Sequence, residues 1–282
     1  MREGEDTLIV GLSDLHSGGT TALFPNREWW FDAEHNHNPT RLQQEIHEHW
    51  IHCAALTRRA RRGRRMVVLH LGDAVEGFHH NTTQVATGHK SKQAKVHEHL
   101  MREYLDGAGF DPGAGDALVY VRGTEIHVGD VEHSIAANLG AELAYAPDVV
   151  DLRVNGRLIW LTHHGAGAGE GDTEGDSFRN WLKRTFWTCV KRKRPIPDMV
   201  VIGHRHRAMY TTYTQRIEDR FHTIRGVILP SWQAKTRYAL GKVPLQVNEI
   251  GAGFINVLPD GTFREPYFSL METRNGETRV LV

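Results

Sequence analysis

The 282-residue chain balances 34 Lys+Arg against 34 Asp+Glu, and 40% of its residues are hydrophobic. That length suits one large domain with a sizeable core, and the neutral balance excludes bulk charge as a basis for binding nucleic acid. No apolar run is long enough to span a bilayer, Met1–Asp6 is no signal peptide, and Cys53 and Cys189 make no disulfide framework, so a soluble cytoplasmic protein is expected.

Histidine, at 19 residues, is the outlier. The first strand is expected at Leu8–Val10, with Leu12 beyond it, and it runs into Asp14 and His16. Side chains two apart on a strand share a face, and an oxygen beside an imidazole suits Mn, Fe or Zn. Ser17–Pro39, rich in Gly, Thr, Asn and aromatics, reads as a long loop over that strand end, either functional or a structural flap. Thr40 is expected to cap a helix running to about Arg62, on the spacing of Leu42, Ile46, Trp50, Cys53, Ala54 and Leu56. Six arginines between Arg58 and Arg65 close it. They exceed what the helix dipole needs, and with overall charge neutral a solvated face is favoured over a phosphate backbone as their setting.

Met66–Leu71 reads as a buried strand followed by Gly72 and Asp73. A carboxylate just past a strand can bridge two cations, because its two oxygens bind separately. A helix over Gln93–Tyr104 and a turn-rich loop over Gly107–Gly115 follow. A third strand, Ala117–Val121, ends in Arg122-Gly123-Thr124-Glu125-Ile126-His127. Another helix is expected over about Val131–Ala144. Val149–Val154 and Leu158–Thr162 then form a hairpin about Asn155-Gly156. Its second strand ends in His163-His164-Gly165, and the five glycines of Gly165–Gly175 make a mobile loop. Asp176 or Ser177 is expected to cap a helix to about Arg192. Met199–Ile202 runs into Gly203-His204-Arg205-His206, which repeats the spacing of Asp14 and His16. The remainder is β-rich: Ala208–Thr214, Phe221–Leu229, Gly253–Leu258 and Thr262–Ser269, the last two joined at Pro259-Asp260-Gly261.

Five strand ends therefore carry Asp-x-His, Gly-Asp, Gly-Thr-Glu-x-His, His-His-Gly and Gly-His-x-His, in that order. Over roughly Leu8 to Met209 this resembles the calcineurin-like metallophosphoesterase superfamily, whose motifs are Asp-x-His, Gly-Asp, Gly-Asn-His-Asp/Glu, His and Gly-His-x-His. The wording Arg122-Gly123-Thr124-x-x-His127-Val128-Gly129, after Gly72-Asp73-x-x-x-Gly77-x-His79-His80, is similar to a phage or prophage branch. The resemblance implies an α/β fold: a four-layer α/β/β/α sandwich of two mixed sheets, one domain over 1–282, with the trailing strands in the second sheet. It implies two divalent metal ions, Mn first, with Fe, Zn, Mg or Ni as alternatives. By position, one ion takes Asp14, His16, Asp73 and His206. The other takes Asp73, a motif-three residue such as Thr124, His163 or His164, and His204. His163 is placed first because it directly follows the apolar run.

Motif three departs from the family. Thr124 stands where an asparagine ligand is expected, and Glu125 where a catalytic histidine is expected. His127 recovers that role, beside Asp73, if the segment is extended. Arg122, His79, His80 and His164 are candidates to bind phosphate oxygens, each with an alternative as a surface or supporting residue. The implied activity is hydrolysis of a phosphate ester by a metal-bound hydroxide attacking in line. A phosphodiesterase or nuclease acting on DNA or RNA comes first, on the arginine runs, and a phosphomonoesterase or nucleotide phosphatase second. Outside enzymes, a non-catalytic metal-binding scaffold or a nucleic-acid-binding module competes. No membrane partner is expected.

Overall fold

The apolar runs all become strands, and their alternation decides which layer each face meets. The computed structural model describes residues 4–78, 83–166, 174–236, 241 and 248–271. In chain order the first half comprises β1 (Thr7–Leu12), the short strands β2 (Trp29–Trp30) and β3 (Asn36–His37), α1 (Arg41–Arg61), β4 (Arg65–Leu71) and α2 (Lys90–Ala108). Next come β5 (Ala117–Val121), α3 (Glu125–Val128), α4 (Val131–Asn138), β6 (Val149–Val154) and β7 (Arg157–Thr162). The chain continues through α5 (Glu174–Lys191), β8 (Met199–Ile202), β9 (Met209–Ile217) and β10 (Arg220–Ile228) to β11 (Gly251–Val257) and β12 (Tyr267–Leu270). No helix among the described residues is long and apolar enough to cross a membrane.

Two five-stranded mixed sheets result, ordered β12-β11-β1-β4-β5 and β6-β7-β8-β10-β9. β1, β4 and β5 are parallel and run to one edge of the first sheet, with antiparallel β11 and β12 on the other side, while parallel β7, β8 and β10 are flanked by antiparallel β6 and β9. Leu8, Val10 and Val68 face Ile46, Trp50 and Leu100 of α1 and α2. Their neighbours Ile9, Val67 and Leu69 turn to Ile159, Leu161 and Val201 of the second sheet. That sheet's outer residues Val200, Ile202 and Ile224 meet Phe178, Leu182 and Phe186 of α5. The strands are thus apolar on both faces, as central parallel strands must be. The layers run α/β/β/α. The trailing strands divide differently from the expectation: β9 and β10 join the second sheet, but β11 and β12 extend the first beside β1.

Local chemistry explains the boundaries. Thr40 forms a capping box, its Oγ1 accepting from Gln43 N at 3.2 Å while Gln43 Oε1 accepts from Thr40 N at 3.0 Å. Asn155 and Gly156 both take positive φ, 49° and 75°, the conformation a tight two-residue hairpin turn demands. α2 is longer than expected because Gly107 rides inside it against Ala54, and Gly109 provides the left-handed cap at φ 72°. α4 is shorter because Gly140, at φ 69°, ends it, with Ala141 N donating to Ala136 O at 2.9 Å. α5 starts at Glu174, so Asp176 and Ser177 lie in its first turn and do not cap it. Within the 17–39 segment Leu23 and Phe24 are buried and Leu23 N donates to Trp232 O at 2.9 Å, as a structural flap requires. β12 begins at Tyr267, later than Thr262. Within the glycine-rich 165–175 segment, 167–173 falls outside the described residues, as do His79 and His80.

The arginine run serves the start of the strands. Arg61 pairs with Asp116 at 2.9 Å, Arg64 with Asp6 at 3.1 Å and Asn256 Oδ1 at 2.8 Å, and Arg65 Nε donates to Gly115 O at 2.9 Å. The seven residues of β4, roughly 20 Å at ~3.3 Å per residue, separate these cations from the strand end that carries Asp73. Thr40→Ala should lower stability by about 1 kcal/mol, since it removes one cap of a surface-packed helix. Urea unfolding should show this as a lower midpoint at constant slope, and an unchanged midpoint would mean the capping box contributes nothing.

Candidate metal centre

At the C-terminal edge of the central strands the backbone does not stay extended. Asp14, His16, Asp73, His204 and His206 take φ values of 55°, 45°, 52°, 66° and 52°. Among the described residues nine non-glycine positions have positive φ, and five are these. Left-handed conformation costs a side-chain-bearing residue roughly 1–2 kcal/mol and collects at functional sites. Strand alternation is therefore not what brings Asp14 to His16 or His204 to His206. Each pair converges through left-handed turns, pinned by His16 N donating to Asp73 O at 2.9 Å and His204 N to Asp14 Oδ2 at 2.9 Å.

These turns gather Asp14, His16, His204 and His206 around Asp73, which is only 2% exposed. His206 Nε2 lies 3.2 Å from Asp14 Oδ1, and His163 Nε2 lies 3.1 Å from Asp73 Oδ2. His16 Nε2 faces both carboxylates, 3.8 Å from Asp73 Oδ2 and 3.9 Å from Asp14 Oδ1. Asp14, His16 and His206 form one set of potential ligands, and His163, His164 and His204 another. Asp73 belongs to two further sets, with Asp14 and His163 and with His16 and His127; within each set the ligand atoms lie within 4.8 Å of one another. His16 Nε2 is buried without a hydrogen-bond partner among the described residues, and Asp14 Oδ1 has only imidazoles facing it, His206 at 3.2 Å and His16 at 3.9 Å. Lone pairs so placed on a carboxylate and an imidazole are what a divalent cation would satisfy, so the donor set fits Mn, Fe or Zn.

A second ring of residues holds this arrangement. His163 Nδ1 donates to Leu71 O at 2.6 Å, which turns Nε2 toward Asp73. His16 Nδ1 is held 2.9 Å from Glu76 Oε2, and Gln233 Nε2 donates to the same oxygen at 2.6 Å. Buried Glu132 accepts from Ala74 N at 2.8 Å and Gly123 N at 2.6 Å, clamping the ends of β4 and β5 together. The Asn248 amide lies 2.9 Å from His206 Nδ1. A Cβ on Gly123 would overlap Asp73 itself, so only glycine fits there. Glu76, Glu132, Gln233 and Asn248 escaped sequence reasoning. Glu76 alone had a signal, lying in the same short segment as Asp73; the others sit where any polar residue passes unnoticed.

Motif three is the largest departure from expectation. Thr124 N donates to Asp73 Oδ1 at 2.6 Å, and Thr124 Oγ1 lies 3.2 Å from both Asp73 Oδ2 and His163 Nε2. Glu125 points away and pairs with Arg122. Arg122 also lies 3.5 Å from Asp130 and donates to Gly129 O at 3.0 Å, so its guanidinium serves its own segment and does not enter the site. Residues 125–128 form the helical turn α3, not an extended segment. That turn nevertheless delivers His127, its ring 4.9 Å from that of His16 and its Nδ1 donating to Glu76 O at 2.7 Å. His164 is exposed, its ring 4.7 Å from those of His163 and His204.

The charges are strongly coupled. Burial opposes ionisation of Asp14 and Asp73, yet facing imidazoles hold both carboxyls well below the usual range. Burial likewise opposes a proton on His16, but Glu76, Asp73 and Asp14 raise it to about 9. Asp73 and Asp14 overcome the same penalty at His163 and raise it to about 10. Burial lowers His204 to about 4 and lowers His127, where His16 adds to the effect. Burial raises Glu132 to about 7.

No protein-family model matches the chain, and no curated protein matches it. Among solved structures it is similar to a conserved uncharacterised protein, a predicted phosphoesterase, from Streptococcus pneumoniae TIGR4. Identity is 11% and the TM-score 0.33, over 94% of this chain and 98% of that one. It is also similar to the sulfate thiohydrolase SoxB of Thermus thermophilus, at 10% identity and TM-score 0.34 over 96% of this chain and 57% of that one. A 5′-nucleotidase of Candida albicans SC5314 gives 9% and 0.31, over 94% and 52%. The site rests on this chain's own residues, not on likenesses of this size.

At neutral pH a cation must displace protons from His16 and His163. Apparent affinity for Mn or Zn should therefore rise as pH goes from about 6 to 9, with proton release on binding. Calorimetry in buffers of different ionisation enthalpy measures this directly. A pH-independent affinity would remove these imidazoles from the ligand set.

Proposed function

We propose that the chain hydrolyses phosphate esters with two divalent cations held at this centre. One observation carries the reading: buried Asp73 shares ligand sets with Asp14 and His16, which also cluster with His206, and with His163, which also clusters with His164 and His204. A carboxylate so placed can give one oxygen to each cation. Paired cations about 3.5–4 Å apart supply an activated water and neutralise the attacking and leaving oxygens. Mn is the first choice, on the mixed oxygen and nitrogen donors.

The chain's own groups do the positioning. Thr124 fixes both Asp73 oxygens through its amide and hydroxyl. Leu71 O fixes the His163 ring, and Glu76 fixes His16. His127, anchored at Nδ1 by Glu76 O beside the His16 ring, is placed to stabilise or protonate the leaving oxygen. Exposed His164, beside both His163 and His204, suits a phosphate oxygen. The wording of motif three supports a phage- or prophage-type branch of the calcineurin-like superfamily. A diester is favoured over a monoester as the substrate, the monoester being the second reading.

Metal-stripped protein reconstituted with Mn should turn over an aryl phosphodiester faster than an aryl phosphomonoester, and Asp73→Asn should abolish both activities. His127→Ala should lower kcat roughly 10²–10⁴-fold with metal content unchanged. Loss of metal from that variant would make His127 a ligand. Metal-loaded protein that hydrolyses neither ester would overturn the proposal.

A further inference from the structure

α5 packs on β8, β9 and β10 and leaves the outer face of the β6–β7 hairpin open. Along that margin runs a cleft of two adjoining lobes, about 490 and about 530 Å³, which share Trp160, Trp181 and Arg194. Each lobe falls in the size range of small-ligand sites, roughly 300–1,000 Å³. Trp160 looks out from β7 and Trp181 from α5, the latter stacked on Phe178 with ring centroids 6.2 Å apart. Both rings are half-buried, so each presents a backed aromatic face. The Trp160 indole N–H has no acceptor among the described residues.

The charge in the cleft is chemically specific. Arg184 lines the α5-side lobe and Arg194 lines both; both are exposed, and neither makes an ion pair among the described residues. Asp151 is the carboxylate that lines the cleft, and it reaches only the β6-side lobe. At one end the lobes are closed by Gly165 and by His164, whose ring lies 4.7 Å from those of His163 and His204. Through His164 the β6-side lobe therefore borders the candidate metal centre. Flat aromatic faces beside guanidiniums recognise a ligand with bases and phosphates, because bases stack on indoles and arginines neutralise the backbone. A paired duplex keeps its bases inside the stack and cannot offer them to a tryptophan.

We propose that this cleft binds the single-stranded nucleic-acid arm of a phosphodiester substrate, with bases on Trp160 and Trp181 and phosphates at Arg184 and Arg194. The arm then presents its next phosphate at His164. This deepens the phosphoesterase reading and rests on it for turnover, but not for binding.

The test uses Mn-loaded protein with three probes: a labelled ten-residue oligothymidylate, a blunt duplex of equal length, and an aryl phosphodiester. Oligothymidylate should bind more tightly than the duplex and quench tryptophan fluorescence. Trp181→Ala, and separately Arg184→Glu with Arg194→Glu, should weaken its binding by about tenfold or more, the scale of one lost stack. The ratio of oligonucleotide to aryl diester kcat/KM should fall by a similar factor. Trp181→Phe keeps a ring and should recover part of the loss, which separates stacking from misfolding. Preferred binding of the duplex, variants that bind like wild type, or equal loss on both substrates would overturn the proposal. Failure of the wild type to hydrolyse the aryl diester overturns the phosphoesterase reading instead, while fluorescence and anisotropy still decide the cleft.

Discussion

Asp73 can sit between two histidine clusters only because nothing else occupies the space around its backbone. A Cβ at Gly123 would land on it, and one at Gly72 would come within 2.6 Å of His163 Nδ1. Five left-handed non-glycine residues in the same small volume cost roughly 5–10 kcal/mol together, at roughly 1–2 kcal/mol each. That is comparable with the whole net stability of a domain. Such a conformation persists when its surroundings over-determine it. Here they do: the Asp14, His16 and Ser17 amides donate to carbonyls of Gly72, Asp73 and Ala74, tying the strand end after β1 to that after β4 residue by residue.

The same volume is where the two sheets are joined. His163 leaves the second sheet and donates to Leu71 O in the first. Ser13 Oγ reaches the same carbonyl at 3.0 Å, and His204 N reaches Asp14 across the sheets. The segment before β11 adds a third connection, Trp232 N donating to Asp14 O at 3.0 Å. Burying charged groups at such a junction is costly unless they are paired and hydrogen-bonded. Their function and the assembly of the two sheets therefore rest on one hydrogen-bonded cluster.

Strands and ligand types were legible because both are local: continuous apolar runs make central strands, and Asp or His beside Gly marks their ends. Geometry was less so. Asp14 and His16 meet through left-handed turns, which need partners on β4 that no short window contains. Glu132 reads locally as an ordinary helix acid, yet it is buried against the amides of Ala74 and Gly123. Gly107 and Gly140 look alike, but packing on Ala54 keeps the first inside a helix while the second ends one. The arginine run lies away from Asp73 for a topological reason. A helix connecting two parallel strands must finish where the second strand begins, so α1 delivers its arginines to the edge opposite Asp73. Arg194, by contrast, lines the same lobe as His164.

At motif three a change of local structure decides which side chain faces Asp73 and His16. Had residues 124–128 stayed extended, Glu125 and His127 would have faced the same way, and a third carboxylate would have crowded Asp73. A single helical turn instead separates residues two apart by about 200°, at roughly 100° per residue. Glu125 therefore turns outward to Arg122, which locks the turn through Gly129 O, and His127 turns inward to His16. Thr124, at the head of the turn, donates its amide to Asp73 and keeps its hydroxyl between Asp73 and His163. A histidine thus reaches the site from position 127, and the acid at position 125 becomes the group that holds the turn in place.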